Sequence, residues 1–170
     1  ASIMKSPSKS QSLPAIARSL RKVGYDTEMI YGGDADFTNM RSYFYATGYG
    51  RVMSCDDFTT EENSARWGVP DHITFPRVEK EIARQTARPF MKTFLTLSSH
   101  EPFDVPMSRL EHPYLNSVAY TDSCLGAFVD TLRQSPLWEN LLIVFVADHT
   151  MRYPAGIQEH EVKRHHIPMV

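Results

Sequence analysis

Leu141-Leu142-Ile143-Val144-Phe145-Val146-Ala147, closed by Asp148-His149, is the stretch on which the fold turns. Seven near-continuous apolar residues, rich in β-branched and aromatic types, read as a strand covered on both faces and therefore central in a parallel sheet. Working backwards, Phe90–Leu97 is a second strand, ended by Ser98-Ser99-His100. Thr27–Tyr31 is a third, ended by Gly32-Gly33-Asp34. Helical patterns fill the intervals. Ser12 is placed to cap a helix starting Leu13-Pro14, with Leu13, Ile16, Leu20 and Val23 on one face and Gly24 as its stop. Residues 37–46 form a short aromatic helix, 74–86 a charged amphipathic one, and 115–134 the longest, striped by Val118, Leu125, Phe128 and Leu132. Residues 1–11, 50–72 and 150–166 read as loops. Strands alternating with helices predict a layered α/β sandwich with a mostly parallel central sheet.

The bulk numbers are compatible with one folded domain. At 170 residues the chain buries a sizeable core, and 42% hydrophobic with 22% charged residues excludes a disordered class. A net charge of −2 without a Lys/Arg block argues against a nucleic-acid partner. No stretch approaches the roughly 20 apolar residues of a membrane span. Ala1 opens the chain without an initiator methionine and Val170 follows an apolar step, so residues 1–170 are read as a piece truncated at both ends. Cys55 and Cys124 are two thiols whose spacing indicates neither a pair nor a metal site, and neither has an activating neighbour in sequence.

Each strand ends in polar residues: Gly32-Gly33-Asp34, Ser98-Ser99-His100 and Asp148-His149. In a parallel sheet these ends share one edge, where α/β folds place ligands. Asp148 and His149 offer a hard oxygen and an imidazole nitrogen for a divalent ion; the alternative is an aspartate capping a loop beside a hydrogen-bonding histidine. His100 is a substrate contact, a general acid, or a loop histidine bonded to backbone. Asp34, Asp36, Thr38 and Asn39 contact a polar substrate or cap the next helix, with capping favoured for Asp36 and Thr38. Trp67 with Pro70 reads as a loop anchor. His160, His165 and His166 lie in a solvated segment and are discounted as a metal cluster, while Arg152 and Arg164 are weak candidates for an anionic group.

Three segments together resemble the sulfatase family of the alkaline phosphatase superfamily, in its lipoteichoic acid synthase-like or phosphoglycerol transferase-like branch. They are Tyr31-Gly32-Gly33-Asp34-Ala35-Asp36-Phe37-Thr38-Asn39-Met40, Thr96–Phe103 and Val144–His149. Ser12-Leu13-Pro14, Trp67-Gly68-Val69-Pro70-Asp71 and Asn116–Asp122 extend the similarity over nearly the whole chain. The resemblance implies a C-terminal portion of a sulfatase-like catalytic domain. It implies a parent anchored in a bacterial membrane, with this domain on the extracytoplasmic side. One divalent metal, Mn first and Mg, Ca or Zn otherwise, would activate a nucleophile that attacks a phosphate or sulfate ester, with a lipid or glycan as carrier. Asp148 and His149 match the family's late metal ligands. His100 matches a substrate-contacting histidine, and Tyr31, Gly33, Asp34, Asn39 and Arg152 fall in or near the substrate site. Tyr31, Thr38 and Met40 stand where synthases carry histidine, tryptophan and arginine, which leaves the head group open. The family nucleophile and an early acidic ligand lie upstream of the matched segment, so the isolated chain is expected to be inactive. The competing expectations are a non-catalytic module binding a glycan or lipid head group at the same edge, and a degenerate partner that only oligomerises.

Overall fold

The computed structural model describes residues 3–85, 89–149, 151–153 and 156–170. The chain divides into two compact units, Ala1–Ser135 and Pro136–Val170.

The first unit is built on a three-stranded parallel sheet. Its strands are β1 (Asp26–Tyr31), β2 (Arg51–Met53) and β3 (Phe90–Leu95), in the order β2-β1-β3. The register pairs Glu28 with Arg51 and Ile30 with Met53 on one side of β1. On the other side Thr27 pairs with Met91 and Tyr31 with Leu95. The alternation of a strand sends Met29 to one face and Ile30 to the other, and both are buried because helices cover both faces. On one face Met29, Val52 and Ala35 pack with Phe44 of helix α3 (Met40–Thr47). On the other, Phe75 of helix α4 (Asp71–Ala83) meets Phe94 of β3 at 4.8 Å and Phe128 of helix α5 (Pro113–Arg133) at 5.3 Å. This is the expected layered α/β arrangement.

Several local expectations are corrected. The chain before β1 holds two helices, α1 (Pro7–Ser12) and α2 (Ile16–Lys22), not one starting at Leu13. Leu13 precedes Pro14 and is extended, with ψ 144°, because the proline ring disfavours helical backbone before it. Of the expected stripe, Leu13, Ile16 and Val23 are exposed, and Ala17 is the buried residue. Gly24 does stop the second helix, at φ 94°. Strand β2 was hidden in a stretch that reads as loop: three residues with one charged member carry no period to detect. On α5, Val118 is exposed, while Tyr120, Phe128 and Leu132 are buried.

The largest correction concerns Leu141–Ala147. It lies in the second unit and, among the described residues, makes one antiparallel bridge, Val146 with Met169. Phe145 N–H donates to Val170 O at 2.7 Å, and Val170 N–H returns the bond at 2.9 Å. Leu142, Val144 and Val146 are 88%, 53% and 62% exposed. Apolar alternation supplies a surface that suits a strand, but a strand exists only where a partner edge completes its ladder. Here the next pair in register is Ala147 with Pro168, and proline has no N–H to give.

A charged layer lies between β1 and α4. Glu28 pairs with Lys92 at 2.5 Å and Arg51 at 3.1 Å; Glu81 pairs with Arg51 at 3.2 Å, Arg77 at 3.1 Å and Arg84 at 3.0 Å. Both carboxylates are buried, and the shared Arg51 ties the sheet to α4.

Candidate functional site

Because the three strands are parallel, Tyr31-Gly32-Gly33-Asp34 after β1, Ser54–Asp57 after β2 and Leu97–His100 after β3 leave the same edge of the sheet. The strap 65–70 is fastened beneath them. Val69 N–H donates to Gly32 O at 2.8 Å, and Gly33 and Gly68 form a bridge. This approach requires glycine. A Cβ on Gly32 would stand 2.5 Å from Val69 O, and one on Gly68, which holds φ 141°, would stand 2.1 Å from Gly32 O. The strap presents Trp67. Its indole N–H donates to Glu101 O at 2.6 Å, its ring meets His100 edge-on at 5.0 Å, and Phe37 lies at 6.4 Å. Trp67 is thus the expected loop anchor and also a wall for His100. His100 Nδ1 sits 2.9 Å from Glu101 O, while its backbone N–H donates to Leu97 O at 3.0 Å.

Asp71 fixes the loop that carries His100. It is fully buried at the start of α4. Its carboxylate accepts from Leu97 N–H at 2.9 Å, Ser98 N–H at 3.3 Å and the Thr121 hydroxyl at 2.8 Å. Its own N–H donates to Ser98 Oγ at 3.0 Å. Ser99 Oγ lies 3.1 Å from Thr121 Oγ1, so the loop is bound to α5 as well. Behind it, His72 N–H donates to the Tyr120 hydroxyl at 3.2 Å. Burial pushes the Tyr120 phenol and the Cys124 thiol above their ordinary values.

On the β1 and β2 side the groups are acidic. Asp34 accepts from the Asp36 N–H at 2.8 Å. Asp36 does not cap a helix; it pairs with Arg41 Nε at 2.9 Å, and Arg41 Nη2 reaches Asp56 and Ser54 Oγ, each at 3.0 Å. The Asp36 hydrogen bond raises the Arg41 pKa, against a smaller loss from burial. Thr38 and Asn39 also donate no cap and adopt φ 55° and 63°, turning the chain into α3. Cys55 and Cys124 are both free, and burial first, then Asp56 and Asp34, pushes the Cys55 thiol up. The upward shift at both thiols disfavours the thiolate.

Tyr31, Gly33, Asp34, Asn39 and His100 therefore belong to the strand-edge region of the first unit; Asp148, His149 and Arg152 lie in the second. Asp148 Oδ2 and His149 Nε2 are 3.4 Å apart and exposed, and His149 N–H donates to Asp148 Oδ1 at 2.9 Å. Two donors bound at about 2.1 Å to one ion stand about 3.0–3.4 Å apart, so this pair fits two adjacent positions of a divalent ion. Among the described residues no group of three His, Cys, Asp or Glu side chains completes such a site. Arg152 pairs with Glu159 at 2.6 Å.

The family model that matches this chain, Sulfatase, covers residues 2–170. The chain belongs to the sulfatase family. Among curated relatives, lipoteichoic acid synthase-like YvgJ of Bacillus subtilis is 28% identical over 78% of this chain and 23% of its own length. Phosphoglycerol transferase I of Xanthomonas campestris is 26% identical over 76% of this chain and 21% of its own. The chain thus spans about a quarter of the relatives it matches. A solved protein of the alkaline phosphatase superfamily from Vibrio parahaemolyticus superposes with a TM-score of 0.84 at 32% identity, over 99% of this chain and 43% of that one. Lipoteichoic acid synthase LtaP of Listeria monocytogenes superposes at 0.73 with 24% identity, over 90% and 41%, and speaks for the fold.

In this sulfatase-family chain, sequence reasoning passed over Asp71 and Arg41. Asp71 was visible as an acidic residue after a proline at a helix start, a position suited to hydrogen bonding with backbone. Arg41 stands at the start of α3, and only the turn at Thr38 and Asn39 shows where its guanidinium goes.

Proposed function

We propose that this chain is part of a metal-dependent sulfatase-family enzyme that transfers or hydrolyses phosphate or sulfate esters, in the manner of a phosphoglycerol-type transferase. The observation that carries this is the parallel strand edge bearing Tyr31, Gly33, Asp34, Asn39 and His100, together with the match to synthases and transferases along most of the chain. In this reading Asp148 and His149 hold a divalent ion, Mn first. When bound, the ion neutralises charge on the ester and activates the attacking group. His100, steadied by Trp67 and the Asp71-pinned loop, hydrogen-bonds the head group, while Tyr31, Asp34, Asn39 and Arg152 contact its polar periphery. The nucleophile and further metal ligands come from outside residues 1–170, so the isolated chain is inert. The parent is membrane-anchored with this domain outside the cytoplasm, although among the described residues no helix is long and apolar enough to cross a membrane.

The test compares the parent protein with its Asp148→Ala and His149→Ala variants for Mn-stimulated turnover of phosphatidylglycerol and of chromogenic phosphate and sulfate esters. The expected loss is at least about 100-fold for either variant. Unchanged turnover would remove these two residues from the metal site. Turnover by residues 1–170 alone would overturn the requirement for outside groups. The second reading, a non-catalytic module for a glycan or lipid head group, is favoured by the exposed aromatic pair Phe37 and Trp67 beside His100. Glycan binding by the parent without ester turnover would establish it.

A further inference from the structure

Helices α1 and α2 pack against α3, which covers Met29 and Val52 of the sheet through Phe44. This helical layer holds no carboxylate. Residues 1–25 and 40–47 contain Lys5, Lys9, Arg18, Arg21, Lys22 and Arg41, and all 20 acidic residues of the chain lie outside them. Arg41 is occupied by Asp36 and Asp56. The other five cations form no ion pair among the described residues. Arg18 donates to the carbonyls of Leu13 and Ala46, which fix the guanidinium but leave its charge uncancelled. Lys5, Lys9, Arg21 and Lys22 are exposed. Aliphatic side chains are exposed among them. Ile16, Ser19 and Val23 recur at helical spacing on the outward side of α2 and its end, while Ala17 is buried. Ile16 and Val23 are each 70% exposed, and Leu13, between α1 and α2, is exposed as well. Single exposed aliphatic residues are ordinary; a row of them set among uncompensated cations is the pattern of a bilayer-facing surface.

We propose that the outer surface of α1 and α2 docks on an anionic lipid bilayer. The cations meet the negative surface, and Leu13, Ile16 and Val23 enter the boundary between head groups and acyl chains. A soluble polyanion would satisfy the cations but leave the aliphatic row in water, so a bilayer is the partner that uses both. The surface senses net charge and selects no particular head group. Lys22 and Val23 precede β1, at the opposite end of that strand from Gly32-Gly33-Asp34, so docking leaves the strand edge clear. The inference rests neither on the proposed chemistry nor on an anchor in the parent, because it is read on residues 1–170 without turnover.

The experiment is co-sedimentation of residues 1–170 with phosphatidylcholine vesicles, neutral or carrying about 30% phosphatidylserine or phosphatidylglycerol, at about 0.1 M salt. The expected result is equal binding to the two anionic vesicles, none to the neutral one, and release at about 0.5 M salt. Lys9→Gln, Arg21→Gln and Lys22→Gln change exposed side chains, so folding is preserved, and circular dichroism checks it. Each cation near the surface contributes about fivefold, so the triple variant should bind about 100-fold more weakly. Ile16→Ser with Val23→Ser keeps every charge and should weaken binding several-fold. Binding to neutral vesicles as strong as to anionic ones, or a triple variant that binds like the parent sequence, overturns the proposal. Unchanged binding by the Ile16→Ser, Val23→Ser variant also overturns it and points to a soluble polyanion as the partner. A preference for phosphatidylglycerol that free glycerol phosphate abolishes overturns it as well, by assigning the binding to an ester site instead of to this surface.

Discussion

Replacing Asp71 by alanine tests whether one buried carboxylate sets the loop that presents His100. The carboxylate accepts Leu97 N–H at 2.9 Å, Ser98 N–H at 3.3 Å and the Thr121 hydroxyl at 2.8 Å. In Asp71→Ala both backbone donors lose their acceptor beside a buried Leu97 and a half-buried Ser98. A buried donor stranded in this way costs about 1–3 kcal/mol. The Thr121 hydroxyl has a second partner in Ser99 Oγ at 3.1 Å and adds little. The expected destabilisation is therefore about 3–5 kcal/mol, large for one residue. Asp71→Asn keeps the volume and one acceptor oxygen but turns an NH₂ toward the other donor, for about 2–3 kcal/mol. Urea unfolding followed by circular dichroism gives the free energies. Amide hydrogen exchange should show Leu97 and Ser98 opening faster in both variants, with the His100 ring signals broadened. A loss below about 1 kcal/mol in Asp71→Ala, with exchange at Leu97 and Ser98 unchanged, would refute the claim that this carboxylate holds the loop.

Three further outcomes follow from the same packing. Gly68→Ala forces a side chain into φ 141° and against the Gly32 carbonyl, so we expect a loss of about 2–3 kcal/mol and a change in Trp67 fluorescence as its contact with His100 loosens. Lys92→Met leaves buried Glu28 with Arg51 alone and should cost about 3–5 kcal/mol, most of it recovered in the double variant with Glu28→Gln; equal stability of the single variant and the parent sequence would contradict the buried-pair account. Burial raises the Glu81 pKa, but the hydrogen bond from Arg77 and the charge of Arg51 outweigh it and hold the carboxyl below its ordinary value. A folded value below the unfolded one, about 4.3, means stability that is present above that pH and is lost as pH falls through the folded value, so Glu81→Gln should flatten the acid limb of a urea-midpoint profile below about pH 5.

Much of the site was legible before any coordinates. The strands Thr27–Tyr31 and Phe90–Leu97 were visible because an apolar run of that length, closed by glycine or serine, has few other conformations to choose. Their shared edge followed from the helices between them. The groups that order the edge were not legible. Asp71 acts on residues 26 and 27 positions away, Trp67 on a carbonyl 34 away, and Arg41 bridges two loops; none of these spacings has a local signature. Asp36 looked like a cap because it precedes a helix, yet its carboxylate finds a guanidinium five residues on instead.

Leu141–His149 divides the two kinds of information most sharply. The sequence by itself determined that this stretch is apolar, that it suits a strand, and that it ends in an oxygen and a nitrogen donor side by side. Its order relative to the other motifs also carried the family resemblance, which depends on residue identity and spacing alone. The tertiary structure decided what that stretch pairs with: one bridge to Met169, with Leu142, Val144 and Val146 exposed. It likewise decided that Arg152 pairs with Glu159 and that Asp36 pairs with Arg41 instead of capping a helix. The physical reason is common to all three. Hydrophobic period and side-chain chemistry are carried by each residue, but a hydrogen-bond ladder, an ion pair or its absence belongs to two groups whose distance the chain sets only when it folds.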